Sequence, residues 1–389
     1  MINFDFKNPS RIVFGDESIK KLDSLLKEYG AHTVLLIGGS GGSAKRLGIC
    51  DEVENACKKI GAKYIESLKV VANPKVELVR ELIQIGKENN VDFILAVGGG
   101  SPIDTAKSVA LGIPYEGDVW DFYDGKATPK SAISLGAITT IPASGSETSN
   151  AAILSNGLYK KGVEYDLILP KFAIMNPTYT LGLPPFQTSA GCTDILSHLL
   201  ERYFTTTENV DVTDYLLEGA IKACMLNALR LAKDPSNYNA RAEMQLLASL
   251  AHNGMLDLGR ATDWASHRIE HELSGQYNIT HGAGMAVVLV AYTKYMADKL
   301  PKKMAQLANR VFNVDYHDYT EKEMALILSD KLKEFFEKIN LKTTLTEYEI
   351  DREHFKDMAM RATNDDKNTV GHYIPLHAKE FMEILELAL

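Results

Sequence analysis

A chain of 389 residues, 45% hydrophobic and 24% charged, has the balance of a folded globular protein and the length for two hydrophobic cores. Its net charge of −9 argues against a phosphate-backbone partner, and no run reaches the roughly 18 apolar residues that a membrane span needs. The start, MINFDFKNPSR, lacks a basic-then-apolar leader, and Cys50, Cys57, Cys192 and Cys224 form no CxxC pattern, so a cytoplasmic protein with reduced thiols is expected.

Arg11–Phe14 is a short extended run stopped by Gly15. Ser18–Tyr29 carries Ile19, Leu22, Leu25 and Leu26 at helical spacing, and Thr33–Ile37 is an apolar strand closed by Gly38 and Gly39. Ala44–Ile60 is helical, Tyr64–Val71 extended and Val76–Asn89 helical again. Phe93–Val97 is a continuous apolar strand that runs into three glycines, with a helix from Ile103 to about Leu111. Ala137–Ile141 and Phe172–Met175 are further short strands. This alternation predicts an α/β domain over residues 1–183 with a doubly wound, mostly parallel sheet. After Pro184-Pro185 nearly every segment has helical periodicity, which predicts an all-α domain over residues 184–389.

Three loops at strand ends suggest a dinucleotide site. Gly98-Gly99-Gly100-Ser101-Pro102-Ile103-Asp104 has the strand–glycine–helix layout that cradles phosphates, with Asp104 placed to cap the helix or to reach the nicotinamide side. A tight turn with no ligand is the plainer reading of the same residues. Gly38-Gly39-Ser40-Gly41-Gly42-Ser43 carries no acid to repel a 2′-phosphate and is followed by Lys45 and Arg46, which favours NADP(H) over NAD(H) unless these are solvated helix charges. The third loop offers Thr139, Thr140 and Ser144 as a further wall of the cofactor groove.

Asp194 and His198 lie four apart on an expected helix, and His267, His271 and His281 crowd into one short stretch. Any one of them is most simply a surface or hydrogen-bonding residue. Four of them, Asp194, His198, His267 and His281, make one carboxylate and three imidazoles, a set that suits Fe²⁺ or Zn²⁺ and suits Mg²⁺ and Ca²⁺ poorly.

With these residues in view, the chain resembles the iron-containing, group III alcohol dehydrogenases, in particular their butanol-dehydrogenase-like branch. The resemblance runs over nearly the whole chain, through NPSRIVFG at Asn8–Gly15, GGGSPIDTAK at Gly98–Lys107, IPASGSE at Ile141–Glu147, Asp194–His198 and DWASHRIEHELSGQYNITHG at Asp263–Gly282. It implies a dehydroquinate-synthase-like architecture and metal ligation by Asp194, His198, His267 and His281. It also implies that His271 lies in the cleft without ligating, where it is the expected proton relay or an orienting residue, and that NADP(H) is the usual cofactor. Lys160 or Lys161 contacting a ribose, and a homodimer, are expectations of the same kind. The loop at Gly38–Ser43 is longer than the branch's glycine turn. The expected activity is the interconversion of alcohols and aldehydes. A zinc-dependent glycerol-dehydrogenase-like enzyme on the same scaffold, or a non-catalytic nucleotide-binding protein, are the alternatives.

Overall fold

The computed structural model describes residues 1–389. They form two compact units, one made of Lys7–Leu183 with Ala248–Asn253, the other of Met1–Phe6, Pro184–Leu247 and Gly254–Leu389. A single cut after Leu183 therefore leaves out two exchanged segments, Met1–Phe6 and Ala248–Asn253.

In the first unit the strands are β1 (Arg11–Phe14), β2 (Thr33–Gly39), β3 (Lys63–Val70), β4 (Phe93–Gly98), β5 (Ser134–Thr139), β6 (Ala151–Asn156), β7 (Tyr159–Glu164) and β8 (Phe172–Met175). Six of them build one parallel sheet in the order β1-β8-β5-β4-β2-β3, while β6 and β7 pair as a separate antiparallel hairpin. The helices are α1 (Leu22–Glu28), α2 (Ser43–Arg46), α3 (Ile49–Ile60), α4 (Val76–Glu88), α5 (Gly100–Gly112) and α6 (Trp120–Tyr123). Both faces of the sheet are covered, and the strands show it residue by residue. Phe93, Leu95 and Val97 of β4 join Val34 and Leu36 of β2 in a core with Leu25 and Val53, whereas Ile94, Ala96, Leu35 and Ile37 point into a core with Val79, Leu82 and Val109. A period of two with apolar residues on both sides is what a doubly covered parallel strand requires.

Three details differ from the sequence reading. The segment 44–60 breaks at Leu47-Gly48 into α2 and α3. Strand β5 starts earlier and ends earlier, because Ser134 and Leu135 pair in register with Phe93 and Ile94 although the run Ser134-Leu135-Gly136 is not continuously apolar. The β6–β7 hairpin was not anticipated.

The second unit is helical: α7 (Pro185–Tyr203), α8 (Asp211–Lys233), most of α9 (Tyr238–His252), α10 (Ala265–Tyr277), α11 (His281–Met296), α12 (Pro301–Phe312), α13 (Glu321–Lys338), α14 (Phe355–Ala362) and α15 (Ala378–Leu387). Helix α7 is buried from Thr188 to Tyr203, and α11 is buried along most of its length. No helix is long and apolar enough to cross a membrane.

Candidate functional site

In the α/β unit, β3 lies on one side of β2 and β4 on the other, so the direction of winding reverses between β2 and β4. Ligands of open parallel sheets bind at such a switch point, outside the carboxyl ends of the strands. Gly38, Gly39, Ser40 and Ser43 lie at the end of β2, Gly98–Ser101 at the end of β4, and Thr139, Thr140 and Ser144 at the end of neighbouring β5. Helix α5 begins at Gly100, its N-cap Gly99 supplies no side-chain bond, and its first turn holds no acid. The N–H groups of Gly100 and Ser101 thus lack an acceptor inside the helix, and the helix dipole adds positive potential, so this end fits a diphosphate.

Asp104 does not cap α5. Its buried carboxylate accepts from Ser146 Oγ at 2.6 Å and from the Ile153 backbone N–H at 3.1 Å. Burial pushes its pKa up, opposed by the charge of Lys107. Lys107, also buried, donates to Ser146 Oγ at 2.9 Å and to the carbonyls of Ser149 and Ala151 at 2.8 and 2.7 Å. Burial holds its pKa down at about 8. This pair pins the Ser144–Ser149 loop and the hairpin to α5. Lys160 is buried on β7 opposite Ser155 with its charge bearing on Asp104, and Lys161 donates to Asp124 at 2.8 Å. Lys45 is exposed, but its ammonium lies 3.0 Å from Glu66 Oε1 on β3, and Arg46 donates to the Gly41 carbonyl at 2.6 Å. The loop itself is free of acids, as read; the adjacent strand brings one to it.

In the helical unit a second constellation forms. Asp194, His198 and Glu201 follow one another at helical spacing along a single face of α7. His267, Glu270 and His271 come from α10, and His281 is the first residue of α11. Asp194 Oδ1 lies 3.7 Å from His198 Nδ1, 4.0 Å from His267 Nε2 and 3.4 Å from His281 Nε2. The His198 and His267 rings stack with centroids 4.7 Å apart, and His281 lies 5.1 Å from His267. Donor atoms of Asp194, His267 and His281 all fall within 4.8 Å of one another. Asp194 Oδ1 and His267 Nε2 are buried without a hydrogen-bond partner. Leaving such atoms unsatisfied costs about 1–3 kcal/mol each, a cost that one shared cation removes. The donor set, one carboxylate and imidazoles, is that of a divalent first-row ion. His271 is buried beside the group, its ring 6.3 Å from His267 and 5.7 Å from His281.

Local sequence explains how these groups meet. A Cβ at Gly282 would stand 2.6 Å from the carbonyl carbon of Ala190, so only glycine lets the first turn of α11 lie directly on the backbone of α7. A Cβ at Gly284 would stand 2.9 Å from Glu270 Cγ and Oε1, so that glycine leaves room for the Glu270 side chain. Trp264, at the N-terminus of α10, has φ of 72°, a costly conformation for a bulky residue. Its ring packs edge-on to His198 and His267 at 5.9 and 5.2 Å, with the Arg202 guanidinium 4.7 Å over it.

Two carboxylates here escaped the sequence reading. Glu201 Oε1 accepts the His267 backbone N–H at 3.0 Å, and its Oε2 meets the same residue's Nδ1. Glu270 Oε2 meets His281 Nδ1, and its Oε1 accepts from Ser274 Oγ. The signal was available, since Glu201 continues the i, i+4, i+7 row begun by Asp194 and His198.

Residues 9–177 match the family model of iron-containing alcohol dehydrogenases, and residues 188–389 match the model of the C-terminal domain of the Fe-containing alcohol dehydrogenase family. The chain is 36% identical to a probable NADH-dependent butanol dehydrogenase 1 of Bacillus subtilis, over 100% of both chains. It is 33% identical to an NADPH-dependent aldehyde reductase of Escherichia coli, over 90% of each. The crystal structure of NADH-dependent butanol dehydrogenase A from Thermotoga maritima superposes with a TM-score of 0.95 at 34% identity, covering 99% of this chain and 98% of that one. Parallel sheet, helical second unit and motif residues all agree with this kinship, and the chain belongs to the butanol-dehydrogenase-like part of the iron-containing alcohol dehydrogenase family, a family of alcohol and aldehyde oxidoreductases that use a nicotinamide cofactor.

Proposed function

We propose that the protein interconverts alcohols and aldehydes by hydride transfer with NADP(H), working chiefly as a broad-range aldehyde reductase, with Fe²⁺ held by Asp194, His198, His267 and His281. The observation that carries this reading is the pair of buried atoms without hydrogen-bond partners, Asp194 Oδ1 and His267 Nε2, facing one another within ion-binding distance of His281. A bound divalent ion supplies a Lewis acid that polarises the substrate oxygen. Around it, the side chains of Asp194, His198 and His267 are buried, while His281 keeps a quarter of its side chain exposed. His271, its ring 5.7 Å from that of His281, would take up or return the proton that the oxygen exchanges. In the α/β unit the N–H groups of Gly99, Gly100 and Ser101 bind the diphosphate, and Thr139, Thr140 and Ser144 line the groove.

The choice of NADP(H) is supported by the acid-free turn at Gly38–Ser43 and by Lys45 next to it. The Lys45–Glu66 pair favours a second reading, in which Glu66 offsets Lys45 and NAD(H) is accepted as well. Zn²⁺ suits the same four donors. Strand β1 forms an edge of the sheet with Ile12 and Phe14 exposed, which supports self-association into a homodimer.

Anaerobic purification with metal analysis, followed by butanal reduction with NADPH and NADH in parallel, tests this reading. The expected result is about one iron per chain, turnover with either cofactor at unequal rates, and loss of both iron and turnover in His267→Ala. Turnover retained by His267→Ala would overturn it.

A further inference from the structure

Both histidines that face Asp194 through Nε2 are engaged by a buried glutamate at Nδ1. We infer that Glu201 and Glu270 are a pair of positioning residues: each fixes the ring of one histidine and selects Nε2 as the atom it presents, and the metal affinity of the site is set by them as well as by the ligands. The inference rests on the ligand assignment proposed above.

An isolated imidazole can offer either nitrogen and can swing about its side-chain torsions. A carboxylate bonded to Nδ1 ends both freedoms, because it holds the Nδ1 proton and leaves the Nε2 lone pair aimed at the ion. For this to work the carboxylate must itself be immobile. Glu201 and Glu270 are fully buried, and each is held at its second oxygen. Glu201 Oε1 takes the backbone N–H of His267, the third residue of α10, where helices leave N–H groups without internal acceptors. One carboxylate thus ties α7 to both the backbone and the ring of the same residue, so the group that holds the ring is itself fixed by the backbone of α10. Glu270 is held by Ser274 and confined by the absence of a side chain at Gly284. It ties α10 to the first residue of α11. The two contacts run in series from α7 to α10 to α11, the three helices that supply Asp194, His198, His267 and His281.

A purely structural ion pair explains these bonds less well. It leaves His267 Nε2 buried without a hydrogen-bond partner on the far side of a ring whose near side is saturated. A ring held for metal binding has that polarity by necessity.

The test uses the full chain, metal-free, with [¹⁵N]histidine labelling, and reads two quantities: the ring-nitrogen NMR signals of each histidine, and Fe²⁺ affinity by anaerobic competition with a chelator. The variants are Glu201→Gln, Glu270→Gln and Gly284→Ala, with His267→Ala as control. Gly284→Ala keeps the Glu270 carboxylate but displaces it, so it covers the case in which a buried Gln variant fails to fold. Each variant is expected to weaken Fe²⁺ binding about 10–100-fold. Glu201→Gln should alter the ring signals of His267 alone, and the other two those of His281 alone. Wild-type affinity in the folded variants, or an affinity loss with unchanged ring signals, overturns the inference while the ligand reading stands if His267→Ala still loses metal. Wild-type affinity in His267→Ala overturns the ligand reading itself.

Discussion

Gly282→Ala tests whether the approach of α11 to α7 builds the proposed metal site. The added Cβ would lie 2.6 Å from the Ala190 carbonyl carbon and 3.0 Å from its Cα, where ordinary contact begins at 3.4 Å. The obstacle is helix backbone, which cannot rotate aside as a side chain would, so the helices must part by about 1 Å. Overpacking of this kind costs about 1–3 kcal/mol, and a rigid neighbour puts the substitution at the upper end. For a unit of this size that lowers Tm by about 6–12 °C. His281 is next to the substituted residue, and Asp194 lies four residues beyond Ala190 on the opposing helix. A displacement of about 1 Å far exceeds the roughly 0.2 Å that ligand distances tolerate. Fe²⁺ affinity should therefore fall at least about as far as on losing one ligand, while NADPH binding to the α/β unit stays within about twofold of wild type. Thermal unfolding by calorimetry, chelator competition for Fe²⁺ and NADPH fluorescence titration measure the three quantities. A variant with wild-type Tm and wild-type metal affinity would refute the argument, since α11 could then accept a side chain without moving His281.

Lys107→Met leaves the Ser149 and Ala151 carbonyls without their donor and the buried Asp104 carboxylate without its countercharge, and should cost about 3–5 kcal/mol in chemical denaturation. The wild type also carries a pH signature. Folding lowers the Lys107 pKa from 10.5 to about 8, so between those values the unfolded chain binds more protons, and stability relative to Lys107→Met should rise with pH across that window; a difference that is flat from pH 7.5 to 10 contradicts the assignment. Ser43→Asp should weaken NADPH more than NADH in parallel fluorescence titrations, because it puts an acid where the 2′-phosphate is expected, and an unchanged ratio would place that phosphate elsewhere. Thr320→Ala removes half of the capping box at the start of α13 and should cost about 1 kcal/mol by urea unfolding with no change in metal binding.

The sheet was legible because its strands are short, apolar on both faces and separated by glycines, so period and punctuation agree. The hairpin was not, because β6 and β7 carry Ser155, Lys160, Lys161 and Glu164, which break any clean alternation of apolar and polar residues, although Ser155 and Lys160 are buried. The turn between them is Gly157-Leu158, with Gly157 at φ of 58°, and that glycine after Asn156 is the signal in the sequence. The four proposed ligands were legible as residue types at suggestive spacing. What spacing cannot convey is which atoms lack partners, and the partnerless Asp194 Oδ1 and His267 Nε2 are what supports the proposed ligation. Asp104 misled for a related reason: its position after the glycine loop suggests a cap or a cofactor contact, whereas its bonds go to Ser146 and Ile153, residues that only the fold brings near. Lys45 likewise looked available for a phosphate until Glu66 arrived from the neighbouring strand.

Helix α7 shows why the site is where it is. A helix buried along most of its length should be apolar all round. This one buries Thr193, Asp194, Ser197, His198, Glu201 and Arg202, a composition that by itself opposes burial. The cost is offset group by group: Ser197 bonds back to the Asp194 carbonyl, Arg202 pairs with Asp257 at 2.5 Å and stacks on Trp264, and Glu201 caps α10. Asp194 Oδ1 is left facing imidazoles with no hydrogen-bond partner, and His267 Nε2 across from it has none either. A buried carboxylate oxygen turned toward three imidazoles, with no hydrogen bond from its own chain, fits a partner that comes from outside. That reasoning makes metal-free protein the less stable form. Saturating Fe²⁺ at about 100 times its dissociation constant should stabilise the helical unit by about 2.7 kcal/mol, and a chelator should lower the unfolding temperature of that unit while leaving the α/β unit's transition in place.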